Sequence, residues 1–430
     1  MRKKNAFFAL LAVALATTTT AYGAGFFTNG VPVAGQSPYP STIPLTGNET
    51  IPADTNLSGG TLPQSIAVTT QQLANYVGST SGTSAFRNSL VNGGQDVWQR
   101  GTSFAAIANT LTYTADRWWA LGGASSSIAI SRQTGASDIT ARFGASLRFQ
   151  RTAANADVAQ VCVGQVLDTE NSFKFQGQIA EFTFYALAGA NFSPASSNVQ
   201  VTIGSGTGTN GSAANFSAGA WTGYANAIQQ NQAVSTTWTR YVAQASIPVG
   251  AVQVGVKICF TPVGTAGAND WVELTGLQLA VNPGGTSGVI GSAASYMPLN
   301  YEFRPISVET ILAQRYTWTI AEPAASLAIG LNGRSASTTT CVVTMPVPVI
   351  MRSAPTVTFA GTALGATTWT TTFVVTNAAL STPFLAATAG GHTTGSINLT
   401  ATTGAVQTAG QACSLTGAGG GSLIVASSEL

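Results

Sequence analysis

"VQVGVKICF", residues 252–260, is the stretch on which the fold turns. Val252, Val254, Val256, Ile258 and Phe260 share one parity, and Gln253, Gly255, Lys257 and Cys259 share the other. Side chains alternate between the two faces of a strand, so this pattern predicts a half-buried β-strand with the valine face in a core. "AEFTFYALA" (180–188) repeats it, with Phe182, Phe184 and Ala186 opposite Glu181 and Thr183. "NVQVTIG" (198–204) and "TTWTRYVAQASIP" (236–248) read as further strands. "WVELTGLQLAV" (271–281) changes phase: Val272 and Leu274 have one parity, Leu277, Leu279 and Val281 the other. A β-bulge at Thr275-Gly276 accounts for the shift.

Many strands joined by glycine-rich turns predict an all-β chain: a β-sandwich, then a second, smaller β-sandwich-like domain, preceded by an extended N-terminal arm. The boundaries read as 1–23 for an apolar leader, 24–85 for the arm, 86–303 for the first sandwich, 304–316 for a short connecting helix and 317–430 for the second domain. The arm is rich in Gly, Pro, Ser and Thr, with a short helix expected in "VTTQQLANYVG" (68–78). Residues 282–296 read as a linker. In "RPISVETILAQRY" (304–316), Val308, Ile311, Leu312 and Arg315 recur at helical spacing after Pro305. Beyond 317 the runs "TTTCVVTMPVPVIM", "TVTFAG" and "WTTTFVVTN" return to strand-like patterns.

Charged residues make up only 7% of the 430 residues, against about a quarter in an ordinary globular chain. The 45% apolar content is enough to build a core, which argues against a disordered chain. The net charge of +2 owes three positives to Arg2, Lys3 and Lys4. No basic patch is left for a phosphate backbone, so nucleic acid is not an expected partner. The positive start, the apolar run Ala6–Ala16 and the small-residue exit at Ala21-Tyr22-Gly23 have the parts of a secretory signal. The alternative is an apolar anchor held inside a larger assembly. Cys162, Cys259, Cys341 and Cys413 form no CxxC motif. In an exported chain they form two disulfides, and grouping by domain suggests Cys162–Cys259 and Cys341–Cys413; four unpaired thiols are the alternative.

Catalytic chemistry is sparse. His392, the one histidine, lies in "AGGHTTGS" and reads as a surface loop residue, with no GxSxG elbow to serve. "GTGTNG" (206–211) matches a dinucleotide fingerprint in form, but no helical period follows it, so it reads as a hairpin loop. Asp168 with Glu170, and Asp270 with Glu273, are the close carboxylate pairs. They suit turns or a structural calcium better than a glycosidase pair. No enzyme, no cofactor and no transition-metal site is expected.

"NSLVNGGQDVWQRGTSF" (88–104) and "YTADRWWAL" (113–121) concentrate charge and aromatics in a chain poor in both. They make either a corner of the fold or a sugar-binding platform. As a corner, Trp98 is buried, Arg100 pairs with Asp116, and alternation sends one of Trp118 and Trp119 inward and the other outward. As a platform, an exposed indole stacks on a pyranose while Arg and Asp take its hydroxyls. Trp119, Trp221, Trp238 and Trp271 are the candidate aromatics, with Asp270 and Glu273 as polar partners.

These two stretches, followed in order by "ISRQ", "QVLDTENSFKFQGQIAEFTFYALAGA", "TTWTRYVAQASIPVG", "WVELTGLQLAV" and "YEFRPISVETILAQRY", resemble bacteriophage tail-fibre and virion-appendage proteins. The resemblance covers about residues 86–316. It implies a jelly-roll like that of carbohydrate-binding modules, displayed on a virion surface without catalytic residues. It also makes Trp98, Arg100, Asp116, Arg117 and Trp118 signatures of the fold. The arm is then expected to dock on other virion proteins, and the outer domains to touch host-surface glycan in several copies, as a trimer. The signal-like N-terminus departs from that pattern and leaves open a secreted carbohydrate-binding protein of prophage origin. A capsid decoration protein without a ligand is the remaining alternative.

Overall fold

The structure is a computed structural model. It describes residues 86–124, 128–135, 142–296, 298–321, 330–360, 369–373, 382–383, 393–402, 408–417 and 423–430, with four short strands before them. The chain divides into two compact units, Met1–Ser84 and Ala85–Leu430. In the first, β1 (Phe27–Thr28) pairs with β2 (Val31–Pro32), and β3 (Thr50–Asp54) with β4 (Ser65–Thr69), both antiparallel. The apolar run 6–16, the helix expected beyond Thr69 and His392 lie outside the described residues.

The second unit opens with a β-sandwich. One sheet has the order β13 (Ala225–Ala233), β12 (Asn198–Gly206), β15 (Gln253–Phe260), β10 (Val161–Val166), β7 (Trp119–Leu121), β6 (Thr112–Tyr113). The other runs β17 (Val289–Ser292), β14 (Thr239–Ser246), β11 (Ile179–Ala188), β16 (Trp271–Val281), β9 (Ser146–Arg151), β8 (Ile128–Gln133), β5 (Ser103–Ile107). The core between them takes Val254, Val256, Ile258 and Phe260 from β15 and Phe182, Phe184 and Ala186 from β11, the faces that alternation selects. Each fully buried Val or Phe contributes about 1.5–3 kcal/mol relative to exposure. Phe149 and Phe260 meet across the sandwich, ring centroids 5.1 Å apart.

The phase change in β16 is a bulge. The register with β11 slips between Thr183↔Gln278 and Tyr185↔Thr275, and Gly276 takes φ +59°. Both halves of the strand thereby bury their leucines.

Three expectations need correction. β15 is buried on both faces, not one, because a second apolar cluster (Trp119, Cys162, Phe216, Trp221, Cys259) covers its outer side. Residues 282–296 are no linker: β17 pairs with β14 and a single helical turn, Ala293–Tyr296, follows. After "GTGTNG" a short helix does form, Ala213–Ser217, with the Ser212 side chain accepting from Asn215 N as its cap.

The connecting helix is Ile306–Gln314. It buries Glu309 and Ala313 while Ile311 is exposed, because Glu309 reaches back to Arg304 and to the Asn92 amide rather than to solvent. A smaller β-sandwich follows. β18 (Thr317–Ala321), β26 (Leu423–Ser427) and β21 (Thr356–Ala360) form one sheet. β23 (Thr382–Pro383), β22 (Trp369–Phe373), β25 (Ala412–Gly417), β19 (Gly330–Ser337), β20 (Thr340–Pro346) and β24 (Ser396–Thr402) form the other. Val343, Met345, Ile397, Leu399 and Ile424 fill the space between. Cys162 bonds to its cross-strand neighbour Cys259, and Cys341 to Cys413, so each disulfide stays within one sandwich.

Candidate functional site

The charged stretches 96–100 and 113–121 meet residues 316–319 and 427–430, and together they make the joint between the two sandwiches. Arg100 does not pair with Asp116. It reaches Glu429 at 3.2 Å, and Arg117 pairs with the other oxygen of the same carboxylate. Asp116 instead accepts from the Gln99 backbone N–H at 3.0 Å and from its side-chain amide. Gln99 Nε2 also donates to Thr317 O at 2.8 Å. The Arg117 guanidinium lies 3.7 Å from the Tyr316 ring centroid, and the Tyr316 hydroxyl donates to Asp168 at 2.8 Å. Asn92 ties the corner together: its side chain accepts from Val97 N and donates to Val97 O, and its carbonyl accepts from the Trp118 indole.

Burial pushes the Asp116 carboxyl up to about 6, with Arg100 and the Gln99 bonds opposing. Burial pushes Glu429 up too, but Arg117 and Arg100 outweigh it and hold that carboxyl below its ordinary value. Trp118 enters the main core, Trp119 the satellite cluster on the other face, and Trp98 is half-buried against Phe104. The two charged stretches therefore form a joint, not a platform.

The expected sugar-stacking residues are mostly covered. Trp119 and Trp221 are 0% and 5% exposed. They lie with Phe216 on a floor of glycines, where a Cβ at Gly164 would stand 2.4 Å from the Trp119 ring and one at Gly204 2.6 Å from Phe216. The segment 207–224 thus folds back and occupies that half of the outer face itself. Asp270 is wholly buried and bonded to Arg151 at 2.8 Å. Glu273 is wholly buried and takes Arg148 at 2.5 Å and Ser146 Oγ at 2.7 Å. Trp271 is half-buried beneath the Arg148 guanidinium, 4.2 Å away, so its face is already stacked. Trp238 is half-buried. Asp168 caps the turn Thr169–Ser172 rather than pairing with Glu170. Among the described residues, no three His, Cys, Asp or Glu side chains gather into a metal-binding group.

The uncovered half of that outer face carries the site. β12 buries Val199, Val201 and Ile203 in the core, and on its other face Asn198 and Gln200 are half-buried while Thr202 is covered. Across β13, β12 and the start of β10 a chain of oriented side chains results. The Tyr224 hydroxyl donates to Asn226 Oδ1 (2.5 Å), and Asn226 Nδ2 to Gln229 Oε1 (2.6 Å). Gln229 Nε2 donates to Gln200 Oε1 (2.7 Å), which also accepts from Gln160 Nε2 (3.4 Å). Each carboxamide has two donors and an acceptor with two lone pairs, so most of that capacity still faces water. The mutual bonds hold the rotamers, which lowers the entropy lost on meeting a ligand.

Beside Gln160 and Gln200 lies a cleft of about 270 Å³, bounded by Pro194, Ala195, Asn198, Asn231, Phe260 and Val263. Its lining mixes carboxamides with apolar groups, of which Val263 is exposed. From Phe182 to Thr239 the sequence contains no charged residue and no histidine, and β12 and β13 both come from that span. That gap, and the run "NAIQQNQA" (226–233) inside it, are the signals from which this site could have been read.

No family model matches the chain, and no curated protein is similar to it. Solved structures similar to it include a family 4 carbohydrate-binding module, 14% identical over 32% of this chain and 70% of that one, with a TM-score of 0.22. The C-terminal family 22 carbohydrate-binding module of Clostridium thermocellum Xyn10B is 16% identical over 40% of this chain and 96% of its own, at a TM-score of 0.24. The enzymatically active domain of tailspike protein 4 of bacteriophage CBA120 is 14% identical over 46% of this chain, at a TM-score of 0.28, and the match spans only 22% of the tailspike chain.

Proposed function

We propose that the chain is a non-enzymatic glycan-binding protein that holds an uncharged sugar chain along the Tyr224–Asn226–Gln229–Gln200–Gln160 ladder. The carrying observation is that pre-oriented row of neutral donors and acceptors, with Asn226, Gln229 and Gln160 exposed and Tyr224 and Gln200 half-buried, ending beside a cleft. Sugars present hydroxyl edges and C–H faces, and carboxamides beside the exposed Val263 can meet both. A phosphate backbone or an acidic peptide would need cations that this span lacks. We further propose that the protein sits on the surface of a phage particle, attached through the arm at residues 24–85, where several weakly binding copies act together.

Titration calorimetry against neutral and anionic oligosaccharides tests the binding. Gln200→Ala and Gln229→Ala are each expected to weaken neutral-glycan binding about tenfold, one hydrogen-bond set being worth on the order of 1 kcal/mol, without lowering the melting temperature. Affinity for anionic glycans alone, or binding unchanged in both variants, would overturn the assignment.

A further inference from the structure

Among the described residues the first sandwich is not a closed barrel, and its two sheets have four edges: β13, β6, β17 and β5. An open edge presents unpaired N–H and C=O groups to any strand that can reach it, and edges are usually shortened, bulged, charged or given proline. Three of the four are treated that way here. β6 has 2 residues and β17 has 4. β5 is broken by a register shift between Phe104 and Ile107, where Ala106 takes φ +58°.

β13 differs. It has 9 residues, no charge and no proline. Its one irregularity, opposite Ile203/Gly204, leaves Ile228–Ala233 in unbroken register with β12. Ala225, Asn226, Gln229, Gln230, Asn231 and Ala233 are exposed.

We propose that β13 pairs antiparallel with β13 of a second copy of this chain, joining two six-stranded sheets into one across a two-fold axis normal to the sheet. A two-fold interface must be complementary to itself. Neutral carboxamides meet that condition because each both donates and accepts, and no like charges are set opposite one another. Rotation about that axis keeps both outer faces on the same side, so two copies present their Gln200 and Gln229 ladders on one continuous surface. The pairing is independent of what the ladders bind.

Sedimentation of the full chain tests this with wild type, Gln230→Lys, Gln230→Glu and an equal mixture of the two variants. Gln230 belongs to the edge and not to the ladder. Wild type is expected to associate into an even-numbered species. Each variant is expected to raise the dissociation constant at least tenfold, and the mixture to restore it. Hydrogen exchange on wild type supplies a readout that needs no variant: the alternate amides of Ile228–Ala233 that point away from β12 slow as the chain is concentrated. A monomer at all concentrations, or a trimer whose mass ignores both variants, overturns the proposal. So does slowing of these amides only when an extended peptide is added.

Discussion

Asp116 and Glu429 are both buried against Arg100, yet their carboxyl groups shift in opposite directions. The difference lies in partners: Glu429 has two guanidinium contacts, whereas Asp116 feels Arg100 without pairing with it and is bonded to the uncharged Gln99. The folded chain binds the Asp116 proton more tightly than the unfolded chain does. Its contribution to stability is therefore full below the ordinary value of 3.8 and is lost as pH rises through about 6. Glu429 contributes above the ordinary carboxylate range and loses that contribution as pH falls. Between pH 7 and pH 5 it is Asp116 that takes up its proton in the folded chain, while Glu429 stays ionised. Urea unfolding should thus show wild type gaining stability relative to Asp116→Asn as pH drops from 7 to 5, by on the order of 1 kcal/mol. Parallel pH profiles for the two proteins would show that the carboxyl titrates elsewhere.

At the scale of the element, the bulge in β16 is the most exacting position. Gly276 has φ +59°, and an added Cβ would stand 2.6 Å from the Phe143 ring. Gly288 has φ +79° with nothing within 4 Å. Both positions strain an alanine backbone by about 1–2 kcal/mol, but only Gly276→Ala adds a steric clash in the core. Chemical denaturation should rank Gly276→Ala as the more destabilising by at least about 1 kcal/mol. Equal losses would mean that Phe143 moves aside freely. This bulge is legible in the sequence because a parity change is local, as is the core face of β15. The outer face of β15 is not: Trp119 comes from one segment and Phe216 and Trp221 from another, and glycines on the strands beneath give them room. Alternation therefore predicts solvent where the chain has placed its own aromatics. The ladder escapes notice for a related reason, since indoles and carboxylates are the usual markers of a sugar site and the one proposed is built from amides.

For the whole molecule, the joint decides whether two sandwiches unfold as one. Glu429→Gln leaves Arg117 buried without its counter-charge, a loss on the order of 3–5 kcal/mol. Calorimetry is expected to show one transition for wild type and two for the variant, as the second sandwich melts away from the first. A single transition at an unchanged temperature would show that the apolar contacts of Tyr316 and Leu430 suffice. The joint also sets a clock. Arg117 and Glu429 are 312 residues apart. At a synthesis rate of about 5–20 residues per second, Arg117 waits roughly 15–60 s before its partner has been made. During that interval the first sandwich carries an open seam, and its final form is reached only when residues 427–430 have been made and close it.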